Sequence, residues 1–335
     1  MAMRSLRLPL LLAAIALAGC GGGSSTGATS GGLPPEPREV WVSLNNFEGP
    51  EHAGLMMAEA NGYFAEQGLQ VRLGSPTNPS RAIRYVLSGT SDIGVSHLSQ
   101  VAISQENEKP IVAVGSLISQ PTAAMIWLKG SEIERVSDLK GKTIAIPGLP
   151  FQKELLRSVL ASAGLKLGDV NLKLVSYKSV PVLTSGRADA IFGGSGNVEG
   201  AELRSLGRDP VITPVQDLGV PPYDEMVIFV PRDYLTREPQ LVRDFLLAVA
   251  RGTAAAVENP RRAAEVVVNG IEPNPDASRE GIRAGVEATL PLLSESGEMD
   301  PDQAQRMVDW MQREKIIRRA PPVSELLTNE YLPQP

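Results

Sequence analysis

The chain has 335 residues, 42% of them hydrophobic and 21% charged, with a formal net charge of -6 at pH 7. That is an ordinary globular composition, long enough for two lobes, and its acidic balance argues against a nucleic-acid partner. One cysteine and two histidines exclude internal disulfides and thiol catalysis in the body. His52 and His97 lie far apart with no His-x-x-x-His or Glu-x-x-His spacing, so no metal site is expected.

The amino terminus places Arg4 and Arg7 before the apolar run Leu8 to Leu17, followed by Leu17-Ala18-Gly19-Cys20 and a Gly/Ser/Thr-rich tract to Gly32. A basic start, an apolar stretch and a small-residue cleavage site describe a secretory signal, and the stretch is too short to span a bilayer. Residues 1–19 are read as signal peptide and 20–37 as a flexible linker. Cleavage removes two arginines, so the charge goes from -6 to -8.

Val40 to Leu44 alternates as a strand, and His52 to Phe64 carries apolar residues at helical spacing up to the glycine stop at Gly68. Between them Asn45-Asn46-Phe47-Glu48-Gly49-Pro50-Glu51 forms a strand-to-helix joint, the place where open α/β sheets bind ligands. Leu69 to Leu73 reads as a strand, Arg81 to Leu87 as a helix and Ser91 to Ser96 as a short buried strand. His97 then opens a helix, and Ile111 to Leu117 and Ala123 to Leu128 are further strands. A second alternating series runs through strand Thr143 to Ile146, helix Phe151 to Ala163, strand Leu172 to Ser176, helix Val180 to Ser185, strand Ala188 to Phe192 and helix Asn197 to Leu206. Val211 to Val215 and Met226 to Val230 close it. Beyond Pro231, Glu238 to Val257, Pro260 to Asn269, Ser278 to Leu290 and Asp300 to Glu314 read as helices with proline, serine or aspartate starts.

Alternating strands and helices imply mainly parallel sheets, here in two blocks joined by crossings near Ile126 and Val227. The expected lobes are 38–127 with 228–335, including the C-terminal helices, and 128–227. Such a pair suits hinge closure on a ligand.

The stretch Asn45 to Gly54 with Gly62-Tyr63-Phe64-Ala65-Glu66-Gln67-Gly68-Leu69 resembles the opening of the SsuA/THI5-like (NMT1-like) solute-binding proteins of ABC importers. Asp138-Leu139-Lys140-Gly141-Lys142, Ser185-Gly186-Arg187-Ala188-Asp189-Ala190, Asn197-Val198-Glu199-Gly200 and Gly219-Val220-Pro221-Pro222-Tyr223 keep the resemblance in order over about residues 38 to 315. It is strongest toward binding proteins for pyrimidine precursors of thiamine. Leu17 to Cys20 resembles the bacterial lipobox, which implies lipidation at Cys20. The resemblance implies an α/β type II periplasmic-binding fold with two hinge crossings, a small-molecule ligand, and ABC permease and ATPase partners. It also implies a monomer, without cofactor or catalysis, tethered by a lipid anchor on the extracytoplasmic face of the cell membrane. The fungal branch of the family makes the pyrimidine from a histidine and a lysine-bound pyridoxal phosphate. Its lysine falls on Ser96 here and its histidine on Gln100, so neither is present.

The expected ligand-binding residues are Asn46, Phe47, His52, Ser96, His97, Gln120, Phe151, Gln152, Asn197, Glu199, Tyr223 and Glu225. His52 either bonds a ligand ring nitrogen or packs as a cap against the sheet. Phe47 either stacks on a flat heterocycle or staples the helix. Glu199 either accepts from a ligand amine or offsets a helix dipole. Tyr223 is expected to offer an apolar face, and Asp224 to face solvent. The family often carries tryptophan where Asn46 stands and an aromatic pair where Ser195-Gly196 stands, which leaves room for a larger ligand. Arg81 and Lys153 are the bases nearest the cleft by this reading, too few for sulfonate or nitrate. Riboflavin, a sulfonate, taurine or nitrate is the alternative cargo, and a pyrimidine-synthesising enzyme the remote alternative.

Overall fold

The computed structural model describes residues 36–75, 81–147, 150–175, 179–271 and 278–334. The expected signal peptide, Cys20 and nearly all of the linker lie outside them. Among the described residues ten strands form: β1 (Arg38–Ser43), β2 (Leu69–Gly74), β3 (Ile93–His97), β4 (Ile111–Ile118), β5 (Ala123–Leu128), β6 (Thr143–Pro147), β7 (Asn171–Val175), β8 (Ala190–Ser195), β9 (Pro210–Pro214) and β10 (Met226–Pro231). They build two five-stranded sheets, ordered β2-β1-β3-β10-β4 and β7-β6-β8-β5-β9.

The two orders follow the same scheme, and the chain crosses between sheets twice. β1 runs parallel to β2 and β3, while β10 is antiparallel to β3 and β4. In the second sheet β6 runs parallel to β7 and β8, while β5 is antiparallel to β8 and β9. In each sheet the single antiparallel strand is the one that has just arrived from the other. Periodicity alone assigns β5 to the first block and places the crossing near Ile126. In the structure β5 pairs along its whole length in the second sheet, so the chain has crossed before Ala123. Buried strands read the same on either side of a crossing, which is why pattern misplaces the boundary.

The helices are α1 (Ala53–Ala60), α2 (Tyr63–Glu66), α3 (Arg81–Leu87), α4 (Leu98–Glu106), α5 (Pro150–Ser162), α6 (Ser179–Thr184) and α7 (Glu199–Ser205). They continue as α8 (Arg232–Arg237), α9 (Pro239–Glu258), α10 (Pro260–Gly270), α11 (Arg279–Thr289), α12 (Pro301–Arg313) and α13 (Val323–Leu326). The helix expected over 52–64 is broken: a 3-10 turn at Pro50–His52 precedes α1, and Gly62 at φ 74 separates α1 from α2. Only glycine adopts that backbone routinely, and it turns the second segment away.

α1 crosses α9 closely. A Cβ on Gly252 would stand 2.2 Å from the carbonyl oxygen of Gly54, and Phe64 stacks on Phe245 with ring centroids 5.2 Å apart. β4, at one edge of its sheet, is buried along its whole length; bridges Ala113–Leu327 and Ile118–Leu293 cover its open side. α11 does not stay with the first sheet. It packs on α7 and on the Pro50–His52 turn, and so ties the two halves together.

Candidate ligand-binding site

β1 and β3 are parallel neighbours, so their carboxyl ends open at one place. His97 is the last residue of β3 and the N-cap of α4, with extended backbone at φ -71 and ψ 140. Its Nδ1 lies 2.7 Å from Oε1 of Glu225, which stands just ahead of β10 and is 5% exposed. Oε2 of Glu225 accepts from the backbone N–H of Thr122 at 3.2 Å and from the Tyr223 hydroxyl at 3.3 Å. The two crossings therefore meet at one carboxylate.

The network continues into the second sheet. Thr122 Oγ1 is 3.2 Å from Ser195 Oγ at the end of β8. The Ser195 N–H donates to Glu199 Oε2 at 2.7 Å, and the Ser179 hydroxyl donates to Glu199 Oε1 at 3.3 Å. Gln152 donates through Nε2 to the carbonyl of Gly193 at 3.2 Å, and Gln216 donates to the carbonyl of Pro121 at 2.9 Å. Asn197 donates to Thr289 Oγ1 of α11 at 2.6 Å. The amide oxygens of Gln152, Asn197 and Gln216 are buried with no partner among the described residues. Each is an acceptor that a ligand N–H can satisfy.

Charge here is unusual. Burial raises the carboxyl pKa of Glu51, with the His97 charge pulling the other way. Burial likewise raises Glu199, and the Glu51 charge adds to it. Burial pulls His97 down, but its hydrogen bond to Glu225 and the charges of Glu225 and Glu51 outweigh that and leave the ring above its ordinary value. The cluster is rich in acceptors, with one imidazole balancing them. Perturbed groups converging at strand ends mark a candidate binding site.

Not every expected residue lies in this network. His52 is fully buried; its Nε2 lies 2.9 Å from Asn45 Oδ1, and its Nδ1 is buried with no partner among the described residues. Burial lowers its pKa to about 4. Its ring therefore donates from Nε2 and positions Asn45. Tyr223 is 1% exposed and sits in the core, so its hydroxyl supports Glu225 and its ring is not an apolar face for a ligand. Asp224, expected at the surface, is 4% exposed, and burial raises its carboxyl to about 6. Phe47 is half-exposed, and the Phe47 backbone N–H donates to Asn46 Oδ1 at 2.8 Å. Gln120 is exposed, and Phe151 packs on the core.

A cavity of about 460 Å³ opens beside the network, and Asn45, Ser96 and His97 are among the residues that line it. Its basic lining residues are Arg84 and Lys109, rather than Arg81 and Lys153. Sequence spacing missed both, since they reach one cavity only through the way α3 and α4 pack on β3. Gln216 was missed as well, because nothing in the Val215–Leu218 turn signals chemistry.

Paired five-stranded sheets with two crossings and a polar site at strand ends define the periplasmic-binding-protein fold. The alkanesulfonate-binding protein SsuA from Xanthomonas axonopodis pv. citri bound to MOPS superposes with TM-score 0.66 at 16% identity, covering 88% of this chain and 99% of that one. A family model described as NMT1/THI5 like matches residues 49–263, and the chain belongs to that family. A formylaminopyrimidine-binding protein from Halalkalibacterium halodurans is 30% identical over 319 residues, 92% of this chain and 94% of the relative. A 4-amino-5-hydroxymethyl-2-methylpyrimidine phosphate synthase from Legionella pneumophila is 27% identical over 306 residues, 88% of this chain and 92% of the relative.

Proposed function

We propose that the chain is the extracytoplasmic binding subunit of an ABC importer, and that it captures an aminopyrimidine precursor of thiamine between its two sheets. The observation that carries this is the pairing of His97 with Glu225 beside the Glu51 charge, joined through Thr122 and Ser195 to Glu199, with the unpartnered amide oxygens of Gln152, Asn197 and Gln216 on the same network. A flat ring with an exocyclic amine satisfies such acceptors, whereas a sulfonate oxygen is repelled by them. The similarity to a formylaminopyrimidine-binding protein over nearly the whole chain supports the same cargo.

The role is binding without turnover. Ser96 and Gln100 stand where the family resemblance puts the synthase lysine and histidine, and neither side chain forms an imine. Asn46, Phe47 and Ser96 complete the ligand wall, with Phe47 covering the ring face when the lobes close. Lobes 38–127 with 228–335 and 128–227, their boundary moved to Ala123, hinge at the two crossings. Cys20 carries the lipid that holds the protein at the membrane, and permease and ATPase subunits receive the ligand. Among the described residues no helix is long and apolar enough to cross a membrane.

Isothermal titration with formylaminopyrimidine, hydroxymethylpyrimidine, riboflavin, taurine and an alkanesulfonate tests the reading. Binding of the aminopyrimidines alone is expected. Binding of the sulfonates alone, or steady conversion of a pyrimidine or pyridoxal compound, overturns it.

A further inference from the structure

The cavity beside His97 extends along α4. Gln100, Ser104 and Asn107 lie at helical spacing on one face of α4 and line it. From Gln100 to Asn107 the helix rises about 10 Å at 1.5 Å per residue, more than one six-membered ring fills. Lys109, just past the C-terminus of the helix that His97 caps, lines it about two turns away from that ring, and Arg84 of the last turn of α3 lines it as well. Neither forms an ion pair among the described residues, and none of the residues lining the cavity is acidic. Each cation offsets the dipole of its own helix, but that role does not require both to line one cavity. A guanidinium, an ammonium, the Asn107 amide and the Ser104 hydroxyl together form the donor set that a phosphate group takes.

We infer that this groove is an anion subsite: the ring of the ligand lies by His97, and a phosphate ester carried on it reaches between Arg84 and Lys109. The inference rests on the aminopyrimidine reading and extends it to phosphorylated cargo. The site is then bipolar, with acceptors for the amine at one end and donors for the phosphate at the other.

Titration of the full chain with hydroxymethylpyrimidine and with its phosphate ester tests it, in the wild type and in the double variant Arg84→Met/Lys109→Met. Both residues are exposed, so the variant is expected to fold, and the affinity of the unphosphorylated alcohol reports whether it has. The ester is expected to bind at least about tenfold more tightly than the alcohol, the worth of one charge-assisted hydrogen bond. That advantage shrinks with added salt and with inorganic phosphate, and disappears in the double variant while the alcohol binds as before. An ester that binds the wild type no better than the alcohol overturns the subsite and leaves the aminopyrimidine reading standing. An advantage retained in the double variant also overturns it. Failure of both compounds to bind overturns the reading beneath it as well.

Discussion

His52 shows how a residue with an obvious chemical role on paper acquires a different one in the fold. Its ring is fully buried against Asn45, and burial holds its pKa at about 4 against an ordinary 6.5. Between those values the unfolded chain binds a proton that the folded one refuses, so stability falls as pH drops from about 6.5 to 4. The loss reaches about 3 kcal/mol at the low end, and urea denaturation across that range should show it, flattened in His52→Gln. Asp224 has the opposite sign. Its carboxyl is raised from 3.8 to about 6 by burial, so its contribution is present at low pH and lost as pH rises through that window. Asp224→Asn should therefore steepen the net acid dependence that His52 imposes. Glu225 and Glu199 carry the binding predictions. In Glu225→Gln the His97 titration, followed by NMR, should move down, since the bond and charge that outweigh burial are weakened. Glu199→Gln should weaken aminopyrimidine binding about tenfold to a hundredfold, as for one charge-assisted hydrogen bond; unchanged affinity would leave Glu199 with only its bonds to Ser195 and Ser179.

Among the elements, the tightest demand is the crossing of α1 and α9. Gly54 and Gly252 let the two backbones touch, and a Cβ on Gly252 meets the Gly54 carbonyl at 2.2 Å and Ala58 N at 2.6 Å. Backbone cannot yield as a flexible side chain does, so Gly252→Ala should destabilise by about 1–3 kcal/mol or more, as overpacking does, seen as a lower thermal midpoint. These elements are also where periodicity served well. The strand over 123–128 and the helix over 81–87 have the expected bounds, because their apolar residues recur at one unbroken spacing. The 52–64 segment failed where Gly62 takes a left-handed backbone that its helical pattern does not announce.

For the whole molecule, the important observation is that one hydrogen-bonded chain runs from His97 through Glu225, Thr122 and Ser195 to Glu199, joining both sheets across both crossings. α11 adds a second tie through Thr289 and Asn197 at 2.6 Å. Thr289→Val leaves the Asn197 amide, whose oxygen already lacks a partner, without its donor bond as well. A cost of about 1–3 kcal/mol is expected for such a buried polar group. Small-angle scattering of the ligand-free variant should show a larger radius of gyration if the sheets then separate more easily, and an unchanged one would confine Thr289 to local packing.

The sequence by itself determined the class of fold, because alternation of strands and helices in two series leaves few topologies, and it put forward His97, Glu199 and Glu225, which the structure joins in one hydrogen-bonded network. Asn45 to Gly54 was legible as a strand-to-helix joint, and Asn45 of that joint lines the cavity. Which sheet owns β5, why Tyr223 and Asp224 are buried, and that His52 holds Asn45 were decided only in three dimensions. So was the meeting of Arg84 with Lys109 at one cavity. Each of these depends on which surfaces are brought together by the crossings, and local spacing carries no record of contacts between residues a hundred positions apart.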